Sequence, residues 1–521
     1  MLVQNTKYSM LLLLSLVFAS CSSTSKPAPK KLPPKAQVWY DLGEKAIEDK
    51  LSQKSLTTNR GAAKNIILFV GDGMGVSTVT ASRIYAGQLR GESGEENSLS
   101  FDKFPVVGLS KTYNTDSQTA DSAGTMTAMI TGVKTKKGML SVSDEVNKGD
   151  CKGSKGHELI TALELAEIKG LATGIVSNTR LTHATPAATY AHVASRDWES
   201  NSTIDGGCKD IASQFIDFSY GDGIEVAMGG GRRAFMPSTA VKVEGKSGKR
   251  TDGRDLREEW QKKYPNGTYI ETKKAFDLVD VEKTEKLFAL FNPSHMRYEA
   301  DRKNDVAGEP SLSEMTEKAI KILKKSDKGF FLMVESGRID HAHHAGNAFN
   351  ALNETAEFSK AVAMADKLTD DKDTLIIVTA DHSHVFTMAG YPVRGNPILG
   401  KVKESDGKGG DKGLKLASDG LPYATLGYAN GRGFMDLKNE TNANVSYEHE
   451  VHKARRVDLT NIDTKATGFH QEATVPYEYE THGGEDVAIY AKGVGAILLS
   501  GTNEQNVIFH VMERMGNLRD R

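Results

Sequence analysis

The chain has 521 residues, of which 38% are hydrophobic and 26% charged, and its formal net charge is −2. That balance suits a globular protein with a sizeable core and gives no electrostatic reason to expect a nucleic-acid partner. The length exceeds one simple domain and fits one large domain with insertions or two domains.

In chain order, Met1 and Lys7 precede a short apolar run, Leu11 to Ser20. It is too short to span a bilayer and reads as the centre of a signal peptide over residues 1–20. The run ends Phe18-Ala19-Ser20-Cys21, which resembles a bacterial lipoprotein cleavage box, with Phe18 where Leu is usual. On that reading Cys21 becomes a lipidated N-terminus, and Ser22 after it fits outer-membrane sorting. A plain secretory signal cut nearby is the alternative. Either predicts export, as a periplasmic protein or outer-membrane lipoprotein of a Gram-negative bacterium, where disulfides are permitted. Residues 21–36 are rich in Ser, Pro and Lys and read as a tether. In the arm that follows, residues 37–60, Trp39, Leu42, Ala46, Ile47 and Leu51 form an apolar stripe at helical spacing.

Asn65 to Val70, NIILFV, is a continuous apolar run followed by GDGMG. Such a run predicts a strand buried on both faces of a parallel sheet. The pattern recurs at Ala172–Val176, Phe330–Val334 and Thr374–Thr379, with a further strand expected at Val487–Tyr490. Helical patterns intervene at Ser313–Lys325 and Ala348–Leu368. Strands alternating with helices predict an α/β fold, with a doubly wound, mostly parallel central sheet and helices on both faces. In such sheets the site lies outside the carboxyl ends of the strands. Two polar stretches break the pattern and read as surface insertions: Gly229–Thr284 and Phe386–Pro476, the latter including KESDGKGGDKG, which reads as mobile.

Thr119–Gly132, TADSAGTMTAMITG, holds the central feature. Asp121 is a good N-cap, which would put the Ser122 hydroxyl at a helix N-terminus, where free N–H groups and the macrodipole favour an anion. Possible metal ligands gather at the strand ends: Asp72, Glu335, Asp340, His344, Asp381, His382 and His482. Asp340 and His344 are spaced i, i+4, on one helical face or in one loop. Mixed carboxylate and imidazole donors suit zinc, and carboxylate with hydroxyl suits magnesium.

Six stretches now carry a specific signal: FVGDGMGVSTVTASRI, LSKTYNTDSQTADSAGTMTA, THATPAATYAHVASR, GFFLMVESGRIDHAHHAG, VTADHSHVFTMAGYPVRG and ETHGGEDVAIYAKG. In this order they resemble the alkaline phosphatase family, and from Gln37 onward its animal-type branch. The resemblance implies a phosphomonoesterase with two zinc ions and one magnesium. It places Asp340, His344 and His482 on the first zinc, and Asp72, Asp381 and His382 on the second, with Ser122 as nucleophile. Asp72 would bridge to a magnesium also held by Thr185 and Glu335. Arg196 would grip the substrate phosphate, and Asp121, His183 and His341 would lie one layer out. Two zincs about 4 Å apart would clamp both in-line oxygens. A guanidinium fork matches two phosphate oxygens, which a lysine cannot do.

The resemblance also implies a Cys151–Cys208 disulfide, a homodimer, a catalytic domain over 61–385 and 477–521, and a crown-like insertion over 386–476. The animal branch carries a calcium site; here Glu244, Phe291, Asn292 and Glu309 fall near it, with Asn292 and Glu309 where Glu and Asp are expected. A neutral amide oxygen there weakens calcium binding. Three other readings are weighed. A sulfatase would need a modified Cys or Ser in a C/S-x-P-x-R context, and DSAGT is not one. A phosphodiesterase of the same superfamily usually has a Thr nucleophile and lacks the Arg and magnesium pair. A non-catalytic phosphate- or metal-binding lipoprotein would not need Ser122.

Overall fold

The computed structural model describes residues 61–519 apart from 202–203, 205–206, 241–245 and 443–448. The signal peptide, Cys21, the tether, the arm and Glu244 lie outside the described residues. The central sheet has ten strands: β1 (Asn65–Gly71), β2 (Val106–Lys111), β3 (Ala172–Arg180), β4 (Val226–Gly230), β5 (Thr268–Ile270), β6 (Leu287–Leu290), β7 (Phe330–Ser336), β8 (Thr374–Ala380), β9 (Val487–Gly493) and β10 (Gly501–Glu504). Their order is β10-β2-β9-β8-β1-β7-β3-β4-β6-β5. All neighbours run parallel except β9, which is antiparallel to both β8 and β2. The helices that frame the site and core are α1 (Val76–Gln88), α2 (Ser122–Thr131), α3 (Leu312–Leu323), α4 (Arg338–His344), α5 (Ala348–Leu368) and α6 (Val507–Met515).

The apolar runs become fully buried strands because both sheet faces are covered. Along β1, Ile66 and Leu68 join one core with Met126, Met129 and Phe509 of α2 and α6. Ile67 and Phe69 join the other with Met315, Ala319 and Phe358 of α3 and α5. Alternation along the strand feeds two helical layers. Helix α3 starts where its sequence says: the Ser311 side chain accepts from the Glu314 N–H, and Glu314 accepts in return from Ser311 N.

The register brings the site together. Gly71 pairs with Ser336 on one side and with Ala380 on the other. Asp72 and Asp381 therefore stand level one residue beyond these pairs, and Glu335, paired with Val70, lies two residues back on the strand between β1 and β3.

The reading of Gly229–Thr284 as a surface insertion is wrong. The stretch begins inside β4 and supplies the edge strand β5. Leu256, Trp260 and Phe276 are buried, and the Trp260 ring lies 5.4 Å from that of Phe288. Its polar look misled because a buried Arg250 is paired with Asp210 and Asp252 rather than solvated. Phe386–Pro476, by contrast, places no strand in the central sheet among the described residues. It builds a three-stranded sheet from Phe386–Met388, Leu426–Gly431 and Ala473–Pro476. KESDGKGGDKG carries the short strand Lys403–Ser405 and most of its antiparallel partner Asp411–Leu414. Phe386, Leu426 and Tyr428 seat this region on Ala81, Ile84, Ala348 and Leu352 of α1 and α5.

Cys151 and Cys208 are bonded, 57 residues apart in sequence. By loop-closure entropy, Cys208→Ser should cost about 4 kcal/mol of unfolding free energy. Denaturant titration of the two proteins checks this; an unchanged midpoint would contradict it.

A second stability prediction concerns Glu167, whose carboxylate accepts from the Thr173 hydroxyl and from the Gly223 N–H. Burial, and then the nearby Glu225, push its pKa up to about 8. A folded pKa above the unfolded one gives stability that is present below the ordinary carboxylate range and lost as pH rises through about 8. The melting temperature should therefore fall between about pH 5 and about pH 9. Glu167→Gln, which can accept from Gly223 and donate to Thr173, should fall less. An identical fall in both proteins would reject the assignment.

Candidate active site

Each functional side chain hangs on an element edge. Asp72 follows β1, Asp381 and His382 follow β8, and Glu335 lies near the end of β7. Asp340 and His344 share one face of α4. His482 sits on a short strand paired with His384. Ser122 is the first residue of α2, and the Asp121 carboxylate caps that helix by accepting from Gly124 N at 3.2 Å. The GDG turn after β1 needs glycine: Gly73 has φ +70°, and a Cβ there would lie 2.3 Å from His384 Nε2.

Three clusters result. In the first, Asp340 Oδ1 lies 3.2 Å from His344 Nε2 and 3.4 Å from His482 Nε2. The Nδ1–H of His344 donates to Glu480 O, and that of His482 to Ala120 O at 2.7 Å. That turns each Nε2 towards Asp340, as the atom that would ligate a metal on giving up its proton. In the second, His382 Nε2 lies 3.3 Å from both Asp72 Oδ1 and Asp381 Oδ2. Ser122 Oγ sits 3.2 Å from the same nitrogen and 3.4 Å from Asp72 Oδ1. In the third, Asp72, His183 and Glu335 each offer an atom within 4.8 Å of the others.

These donors fit cations on an observation of their own. Asp72 Oδ2, Thr185 Oγ1, Glu335 Oε1 and Asp381 Oδ2 are buried without a hydrogen-bond partner. Orphaned atoms of this kind are costly unless something binds them. Electrostatics agrees. Burial, and then the carboxylates of Asp381, Asp340 and Glu335, hold Asp72 well above the usual carboxylate range. Burial pushes Glu335 up to about 7. Burial opposes ionisation of Asp340 too, but the charge and hydrogen bonds of its imidazole neighbours hold it well below that range.

Arg196 is tied to the start of α2, since its Nη1 donates to Asp121 Oδ2 at 3.2 Å and its Nη2 to His183 Nε2 at 3.0 Å. With Nε2 accepting, the proton of a neutral His183 sits on Nδ1, so the ring lies beside the third cluster without a lone pair for a cation. His341 joins His183 and His295 in a further group of imidazoles, its ring 5.5 Å from that of His183. Arg338 Nη1 donates to its Nδ1 at 3.0 Å, and its ring centroid is 4.2 Å from that of His295.

Sequence reasoning missed three groups. His384 reaches Asp340 Oδ1 through Nε2 at 2.9 Å and Glu480 Oε2 through Nδ1 at 2.6 Å. Donating to two carboxylates, it supports the ligands rather than offering a lone pair. Its place in ADHSH, two residues after His382, was the available signal. Glu480 and His295 had none.

A profile of the alkaline phosphatase family matches residues 63–518. The chain belongs to that family. The tissue-nonspecific alkaline phosphatase of Gallus gallus is 43% identical over 513 residues, covering 96% of this chain and 92% of the relative. That of Homo sapiens is 42% identical, covering 96% and 91%. The alkaline phosphatase of Gadus morhua is 42% identical, covering 92% and 96%. Among solved structures, the alkaline phosphatase of Thermus thermophilus superposes with a TM-score of 0.63 at 23% identity, covering 90% of this chain and 94% of that one. That of the Antarctic bacterium TAB5 gives 0.59 at 22%, covering 88% and 99%. These structures share the fold.

Of the residues expected near calcium, Glu244 lies outside the described residues. Glu309 accepts from Asn292 Nδ2 at 2.8 Å through one oxygen and from Arg297 N at 2.7 Å through the other.

Proposed function

We propose that the protein hydrolyses phosphate monoesters to an alcohol and inorganic phosphate through a phosphoserine at Ser122. The observation that carries this is Ser122 itself: a hydroxyl at a helix N-terminus, between Asp72 and His382, with a guanidinium tied to the residue before it. The helix start and Arg196 favour a bound phosphoryl group. Asp72 Oδ1 accepts the hydroxyl's hydrogen bond and orients its oxygen. As the Ser122 Oγ–P bond forms, the bond from phosphorus to the alcohol oxygen breaks and the alcohol leaves with a proton. Water then attacks the phosphoserine; its oxygen stays on the phosphate, and the Oγ–P bond breaks.

Asp340, His344 and His482 would hold one zinc, and Asp72, Asp381 and His382 a second; Asp72, Thr185 and Glu335 would hold magnesium, with His183 beside it. Bound there, such ions supply Lewis-acid charge to the attacking and leaving oxygens. Arg196 can take two phosphate oxygens with its fork, and a monoester keeps a third, charged oxygen for the cation site beside it, which a diester lacks. Export with a lipid at Cys21 and a homodimer built on the arm and the crown-like insertion complete the reading. Among the described residues no helix is long and apolar enough to cross a membrane.

The test is release of p-nitrophenol by the metal-loaded protein from p-nitrophenyl phosphate and from its bis ester, with and without chelator. Chelator-sensitive release from the monoester is expected. Release from the bis ester alone would move the assignment to a phosphodiesterase. Stoichiometric phosphate binding without release from either would leave a binding protein.

A further inference from the structure

The site is closed on one side and open on the other. Asp72, Asp381, His382 and Glu335 have no exposure, and Ser122 has 2%. The side chains of His344 and His482 are 19% and 15% exposed. A run of rings leads outward from the nucleophile. His382 stacks on His482 with centroids 3.6 Å apart, and His482 on His344 at 4.9 Å. Tyr479 meets His344 edge-on at 5.9 Å, and Tyr477 lies 5.5 Å from Tyr479. Both tyrosines are about half exposed, in the short link that also carries Glu480 and His482.

In-line displacement sends the leaving oxygen to the side of phosphorus opposite the attacking one. Ser122 Oγ lies against the closed side, so the leaving group has to depart towards His344 and His482. The ring packed against His344 on its outer side is that of Tyr479, with Tyr477 against it. We propose that Tyr479, with Tyr477 beside it, is the leaving-group platform, and that it gives this enzyme a preference for monoesters of aromatic alcohols over compact alkyl ones. The proposal rests on the phosphomonoesterase reading and adds a substrate class to it. A tyrosine ring supplies a flat apolar face with little conformational freedom to lose, and an edge-to-face or offset partner suits it. The Nε2 atoms of His344 and His482 are turned inward, which leaves the tyrosines as the rings free to take the guest.

Benzyl phosphate and ethyl phosphate make the discriminating pair, because their leaving alkoxides are of similar basicity and differ in the ring. Steady-state kinetics of metal-loaded wild type, Tyr479→Ala, Tyr479→Phe and Tyr477→Ala would be compared. Wild type should favour benzyl phosphate. Tyr479→Ala should lower kcat/KM for benzyl phosphate by about five-fold, mostly through KM, and change ethyl phosphate by less than about two-fold. Tyr479→Phe should keep the preference, and Tyr477→Ala should lose part of it without touching any proposed metal ligand. Equal losses on both substrates, or none on either, would overturn the platform while ethyl phosphate turnover left the phosphomonoesterase reading standing. Failure of wild type on both substrates would overturn both.

Discussion

Ser122→Ala should lower kcat for p-nitrophenyl phosphate by about three orders of magnitude or more. The size follows from where the hydroxyl sits. Its oxygen is the one nucleophile in the phosphate site that the chain itself supplies, between Asp72 and His382 and at the start of α2. Truncation removes the oxygen and its contacts to Asp72 and His382, and leaves the other hydrogen bonds of the cage in place. Asp121 still caps α2, and Arg196 still donates to Asp121. Unfolding temperature and bound metal should therefore stay near wild type while turnover collapses. Residual activity comes from whatever water the intact cage can orient. Equal activity in both proteins would remove Ser122 from its covalent role and point to water as the direct nucleophile.

Asp340→Asn is the second large effect, with an expected loss of about a thousand-fold in kcat/KM and of one bound divalent ion per chain. One oxygen, Oδ1, faces the Nε2 atoms of His384, His344 and His482. Replacing the carboxylate by an amide removes the charge that holds these imidazoles together, and an amide N–H turned inward would oppose a cation. His384→Ala provides the graded control. Because His384 bridges Asp340 and Glu480, its loss should cost about ten- to hundred-fold, the usual effect of removing a group that orients a ligand. Metal analysis of the purified variants beside their kinetics separates the two. Full metal content in Asp340→Asn would contradict the assignment of Asp340 as a ligand.

Much of this was legible because the strand signal is local. NIILFV, FFLMV and TLIIVT announce their burial in five or six consecutive residues, and the polar clusters follow directly. The end positions of Ala348–Leu368 are those of α5 itself. The cap at Asp121 was likewise a matter of neighbours three residues apart. What stayed hidden depends on distance along the chain. Glu480 holds His384 from 96 residues away and His344 from 136. Nothing near Glu480 in sequence marks it as the partner of an imidazole. His295 reaches His183 and His341 only through the packing that follows β6. The 229–284 stretch failed for a different reason. Its edge strand has three residues, and its buried arginine is neutralised by aspartates that a hydropathy pattern counts as surface.

The most direct test of the central claim is to look for the covalent intermediate. The metal-loaded protein would be mixed with a labelled phosphate monoester at mildly acidic pH, quenched in acid and digested, and the labelled peptide sequenced. The label should appear on Ser122 of the peptide containing TADSAGTMTA, in proportion to enzyme, and be absent from Ser122→Ala. Product release with no label on the protein, or label on any other residue, would contradict the phosphoserine mechanism.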